Sequence, residues 1–426
     1  MTHQKKLLCA ITVILMMSLC FPSVFGTELP DIEPIHLPDG FQFGTNLWVI
    51  GWGGDAAFKN EAAPGEYSMR RFAFSVDWES AYDMKENKPL ADIWNPVFLE
   101  ELKPYTFIRF IDWGSVDQPN VMKRTINWSD RRLPTDNHND GSTIAFEWMI
   151  DLCNRLNKDA WICIPNRVND TYAEELAKLF HETLKPNLKC YVEYSNETWN
   201  TFFREQHEWC LERGKEEKFT GSDADIAEAY TIFRSFQIFS IFEKIYGKEE
   251  MVKRIIRTSC SWVNGIDPFD RQYKNVKESK EKNPDGQASD ILCVAPYVGH
   301  DLDGEDSAVA RKFIHEANTV VYPAILRCKA IAEKYGLKFG AYESGQHLTR
   351  NADKFSANEE IYACYIYMFN KFFPEFDVVA HLNNVGEWGD NGAWGAKRYT
   401  GQPLDEVPKY RAIHDWSAVN LHYAGK

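Results

Sequence analysis

Two glutamates stand where apolar runs of this chain give out: Glu197 in "YVEYSNETWN" (191–200) and Glu343 in "KFGAYES" (338–344). A carboxylic acid and a carboxylate facing each other across a sugar are what cleavage of a glycosidic bond with retention requires. One protonates the leaving oxygen, the other attacks the anomeric carbon, and the two stand about 5 Å apart. The acid has to keep its proton near neutral pH, which a desolvated site beside aromatic residues favours, while the nucleophile has to be charged. Asn196, next to Glu197, is placed to offer an amide to a sugar hydroxyl. Glu193 lies on the same side of its strand by the period of two and is expected to point inward as a structural carboxylate paired with a cation.

The chemistry needs elements that bring 197 and 343 together. Eight short apolar runs occur at 41–49, 106–113, 160–166, 189–197, 254–262, 290–299, 338–344 and 377–388. Between them lie amphipathic stretches at 143–157, 171–184, 224–247, 315–336 and 358–373. Alternating strands and helices of this number predict an α/β fold of the (β/α)8 TIM barrel type. The long interval 50–105 is expected to hold inserted loops. No Gly-rich phosphate loop follows any strand, which argues against an open doubly wound sheet. Chemistry in such a barrel belongs at the C-terminal strand ends. Those ends carry Asn46, Trp48, Arg109, Asp112, Trp113, Asn166, Trp262, Tyr297, His300, Glu387 and Trp388 besides the residues already named. Trp113 and Trp388 end strands and are candidate sugar platforms, with Arg109, Asn166 and Tyr297 candidate contacts to substrate. Trp199 reads equally as a helix-packing residue. Asp112 and Glu387 rival the glutamates for catalysis but serve as well to tie down loops.

Residues 1–26, with Lys5 and Lys6 before "LLCAITVILMMSLC", have the form of a secretory signal, and Cys20 is a candidate lipid acceptor. The expected mature chain, 27–426, is one soluble domain with no membrane span, secreted or periplasmic, or held at the surface as a lipoprotein. The signal removes two of 48 basic and none of 62 acidic residues, leaving a net charge of −16. That field repels nucleic acid and is indifferent to a neutral glycan. Of ten cysteines, Cys9 and Cys20 fall in the signal, and Cys163, Cys190, Cys260 and Cys293 fall in strand-like runs. Mostly reduced, buried thiols with at most one or two bridges are expected. No spacing of a zinc site appears, and neither metal nor cofactor is implied. An esterase is disfavoured because no G-x-S-x-G turn is present.

The "NE" at the end of the fourth run and the Glu at the end of the seventh resemble clan A of the glycoside hydrolases. That resemblance implies Glu197 as acid/base and Glu343 as nucleophile, an Arg in strand two bracing the nucleophile (Arg109), an aromatic residue after strand six (Tyr297) and a Trp after strand eight (Trp388). "IRFIDW", "AWICIPN", "YVEYSNETWN" and "PKYRAI" are similar, over most of the mature chain, to exported bacterial proteins with an "EYSNE-x-WN" signature, often labelled hypothetical or cellulose-binding. The expectation is a retaining glycoside hydrolase acting on an equatorial bond in a plant-type or other complex glycan. The rival is a barrel that binds polysaccharide at the cell surface without cleaving it.

Overall fold

The computed structural model describes residues 31–48, 54–59, 76–114, 126–139 and 143–421. The expected signal segment and Cys20 lie outside these residues. Eight parallel strands close into a barrel: β1 (Gln42–Asn46), β2 (Phe107–Phe110), β3 (Asp159–Ile164), β4 (Cys190–Tyr194), β5 (Ile255–Cys260), β6 (Ile291–Val294), β7 (Lys338–Ala341) and β8 (Val378–His381). Closure comes from β1, which pairs Thr45 with His381 of β8 on one side and Asn46 with Arg109 of β2 on the other. Seven of the strands lie inside their apolar runs, and β3 begins one residue before its run, at Asp159. The runs are longer because their last residues leave the sheet to form the mouth.

Alternation along each strand sorts the side chains. In β2, Ile108 and Phe110 face the surrounding helices, and Phe107 and Arg109 face the barrel axis. In β4, Cys190, Val192 and Tyr194 face outward, and Tyr191 and Glu193 face inward. The lower interior is filled by stacked rings, Phe107 on Trp161 at 5.7 Å and Trp161 on Tyr191 at 4.9 Å between centroids. Gly44 makes room for them: a Cβ there would lie 2.5 Å from the Phe107 ring. Burying rings of this size contributes about 2 kcal/mol or more each. The polar layer lies above these rings, toward the mouth.

The helices expected from sequence form as Phe146–Leu156, Asp170–Thr183, Asp223–Tyr246, Tyr322–Lys334 and Glu360–Phe372. Among the helices that escaped the periodicity, the longest are Arg204–Glu216, Asp267–Glu278 and Pro408–Asn420. Arg204–Glu216 buries only Gln206, Cys210 and Gly214, a stripe four residues apart with almost no apolar signal. The eight cysteines among the described residues are all free, seven of them buried. No helix among the described residues is long and apolar enough to cross a membrane.

Candidate functional site

Arg109 organises the mouth. Its Nε and Nη2 donate to the two oxygens of Glu193 at 2.9 Å each. Nη2 also donates to Asn196 Oδ1 (2.9 Å), and Nη1 to Asn46 Oδ1 (2.8 Å) and Glu343 Oε1 (3.1 Å). These contacts use all five N–H donors of a guanidinium. The register explains the set: Asn46 sits beside Arg109, Arg109 beside Trp161, and Glu193 beside Cys163. Trp161 Nε1 (2.7 Å) and Cys163 Sγ (3.4 Å) complete the shell around Glu193 Oε2. Glu193 is thus the inward structural carboxylate the alternation predicted. Arg109 is fully buried and has no donor left for a ligand. It is a positioning residue, which corrects its expected place among groups touching substrate.

After Tyr194 the chain leaves the sheet through two left-handed residues, Ser195 (φ 63°) and Glu197 (φ 42°). Each costs on the order of 1 kcal/mol or more for a residue with a Cβ. A tight turn follows, with Asn200 N donating to the Glu197 carbonyl at 2.8 Å. The Glu197 side chain, only partly exposed, is held at both oxygens, by Tyr342 Oη on Oε1 (2.9 Å) and by Asn200 Nδ2 on Oε2 (2.7 Å).

Glu343 arrives by a different route. In β7, Gly340 faces inward and Tyr342 follows it by the period of two, but the strand ends at Ala341, so the next residue is freed from alternation. Two consecutive side chains, Tyr342 and Glu343, therefore enter the same site. Glu343 is 5% exposed and accepts from Arg109 on Oε1 and from Tyr297 Oη on Oε2 (2.8 Å).

Burial pushes the Glu343 carboxyl up to about 8, the Glu197 charge pushes the same way, and Arg109 and Tyr297 pull it down. Burial also raises Glu197, against the bonds from Asn200 and Tyr342 and the more distant charge of Arg109. Because the Glu197 charge raises Glu343, the two carboxyls resist ionising together, which favours one proton held between them. A cation touches Glu343, whereas Glu197 receives only neutral donors. That asymmetry favours the proton on Glu197, which would relieve Glu343 of the Glu197 charge though not of the burial that raises it most.

Of the other residues expected here, Asn196 is 1% exposed with its amide oxygen on Arg109, which turns its nitrogen away from that cation. Tyr297, partly exposed, carries Glu343 as described. Asn166 is 2% exposed, and neither polar atom of its amide has a hydrogen-bond partner. Trp113 is 1% exposed, with its ring on Phe110 (5.3 Å) and its Nε1 on the Trp48 carbonyl. The turn after β2 carries it back into the outer core, so it is not a platform. Trp388 lies in the loop after β8 with Lys409 (4.4 Å) and Arg398 (4.9 Å) over its ring and Nε1 on the Gly395 carbonyl. Among the described residues no contact joins it to either glutamate. Another indole, Trp394, is linked to Tyr297 through His347, its ring meeting His347 at 5.4 Å and His347 meeting Tyr297 at 5.0 Å. Glu387 is exposed, and Asp112 is buried. Sequence reasoning missed Tyr342, Asn200 and Trp394. For Tyr342 the signal was available, since an inward residue directly before a strand-end glutamate follows from the period of two.

No family model matches this sequence, and no curated protein matches it. Among solved structures, the chain is similar over 93% of its length, and over 75% of the other chain, to the GH51 arabinofuranosidase of Xanthomonas axonopodis pv. citri, at 12% identity and a TM-score of 0.51. It is also similar to an endo-beta-1,4-mannanase double mutant from Cellulomonas fimi (10% identity, 92% of this chain, 73% of that one, TM-score 0.46) and to a GH5 family lichenase from Caldicellulosiruptor sp. F32 (13%, 92%, 99%, 0.44). At these identities the likeness establishes the eight-stranded barrel and nothing finer.

Proposed function

We propose that this chain is a retaining glycoside hydrolase with Glu343 as nucleophile and Glu197 as acid/base. The observation that carries this reading is the difference in the surroundings of two coupled carboxyls at the mouths of β4 and β7: Arg109 on Glu343, neutral donors on Glu197. Ionised Glu343 attacks the anomeric carbon as the exocyclic C–O bond breaks, and the departing oxygen takes the Glu197 proton. The ester on Glu343 is then displaced by a water whose proton goes to Glu197, which restores both groups. Tyr297 and Arg109 hold the Glu343 oxygens so that one lone pair points at carbon. Asn196, oriented by Arg109, offers its amide nitrogen to a hydroxyl beside the reacting carbon, and Asn166 is a second polar contact at the mouth. The substrate is a neutral complex glycan met outside the cell, in keeping with the acidic chain and the signal-like leader.

The test is proton NMR of the anomer first released from a panel of plant and microbial glycans, with fluorosugar trapping read by mass spectrometry. Retention and an ester on the peptide containing Glu343 are expected. Inversion, or turnover undiminished in Glu343→Gln, overturns the reading.

A further inference from the structure

Beside Glu197 the mouth carries an aromatic construction that the chemistry above does not use. Trp199, two residues past Glu197 in the turn closed by Asn200, stacks on Trp262 just beyond β5, with ring centroids 5.5 Å apart and planes 5° from parallel. Trp199 is partly buried and packs against the barrel-interior cluster to which Tyr297 also packs. Trp262 is 45% exposed. The same turn holds Phe202 at 85% exposure, its backbone N–H fixed by the Asn200 side chain that also holds Glu197. Exposed rings of this size, clustered and rigidly mounted, mark a ligand surface more often than a solvated one. Glu197 and Cys260, two residues before Trp262, line one small cavity, so the stacked pair lies on the Glu197 side of the site. The acid stands next to the oxygen that departs, so this side faces the leaving group. Glu343 is held instead by Tyr297, against whose ring His347 packs.

We infer that Trp199 and Trp262 form the platform for the sugar on the leaving-group side, and that this sugar is a pyranose with mainly equatorial substituents. The inference rests on the proposed roles of the two glutamates. Such a ring presents a flat face of axial C–H bonds that matches an indole plane, and a supported pair of indoles loses little conformational freedom on binding. A non-sugar aglycone would need no platform of this extent. The bond cleaved is therefore one between two sugar units of an oligo- or polysaccharide.

The experiment uses the full chain. Glu343→Gln protein, with and without Trp262→Ala, is titrated with cello-, xylo- and mannohexaose and followed by calorimetry. In parallel, Trp262→Ala and Trp262→Phe in the active protein are assayed on the best oligosaccharide and on the matching glycosyl fluoride, whose leaving group has no ring. Equal thermal midpoints check that the exposed site tolerates the changes. The expected result is binding at least about ten-fold weaker with Trp262→Ala, near 1.4 kcal/mol. The ratio of oligosaccharide to fluoride kcat/KM should fall at least as far and recover in Trp262→Phe. Weaker binding without hydrolysis by any protein keeps the platform and removes the glycosidase reading. Hydrolysis with undiminished oligosaccharide binding and an unaltered ratio removes the platform and keeps the glycosidase. Binding of none of the three hexaoses overturns the inference.

Discussion

Glu343 and Glu197 are the same side chain in two settings at one rim. Glu343 sits deeper, 5% exposed, with a guanidinium on one oxygen and a phenol on the other. Glu197 hangs from a strained turn, with a phenol and a carboxamide as its donors. The burial penalty alone does not assign roles, because it raises both. In the proposed reading the nearest formal charge does, by favouring one of the two groups as the one that gives up its proton. Arg109 in turn owes its position to Glu193, whose bidentate grip leaves Nη1 aimed at Glu343.

The sharpest break in this comparison is chemical. Glu343→Ala should lower hydrolysis by on the order of 10³-fold or more, about 4 kcal/mol of barrier, with no recovery of the retained product in azide. Glu197→Ala should lose about 10²- to 10⁴-fold, the usual share of an acid–base group, and regain turnover in azide with a retained glycosyl azide, seen by NMR. The opposite pattern of rescue would exchange the roles.

Removing the cation should collapse the difference at its source. Arg109→Met strands the buried Glu193 charge and loosens Glu343, so a loss of about 3–5 kcal/mol of stability is expected in urea unfolding. A change under 1 kcal/mol would contradict the central place of this contact.

The shared proton gives a stability signature. Burial raises both carboxyls above their unfolded range, Glu343 to about 8, so the proton held by the pair favours the folded state at low pH, and that advantage is lost as pH rises through about 8. Thermal unfolding of Glu343→Gln against the parent should show the variant gaining relative stability between pH 5 and 9. A constant difference across that range would mean the pair holds no shared proton.

The smallest effects separate the two phenols. Each hydrogen bond to a carboxylate contributes about 1.5–3 kcal/mol. Tyr342→Phe removes a bond that favours ionised Glu197, so the basic limb of the kcat/KM profile should move to higher pH. Tyr297→Phe should lower kcat about ten-fold, within that same energy, with a smaller shift of the limb.

Much of this arrangement was legible in the sequence because a parallel barrel writes each strand as a short apolar run ending in polar residues. Glu193 followed from alternation, and 197 and 343 from the points where runs stop. What was not legible depended on loops. Trp113 ended a run yet folds back onto Phe110, and Trp388 is captured by Arg398 and Lys409, while Trp394, six residues later, approaches His347. No periodicity governs such returns. Arg109 was correctly placed but wrongly thought to face substrate, because a sequence does not count how many donors a guanidinium has already committed.

The unbridged thiols have a practical corollary. Burial raises the thiols of Cys153, Cys190, Cys210, Cys260, Cys328 and Cys364 far from the range in which they react. These six thiols should ignore thiol reagents in the native protein, and their alkylation should count molecules that have opened, so their hazard in an oxidising milieu is confined to the interval before the barrel closes.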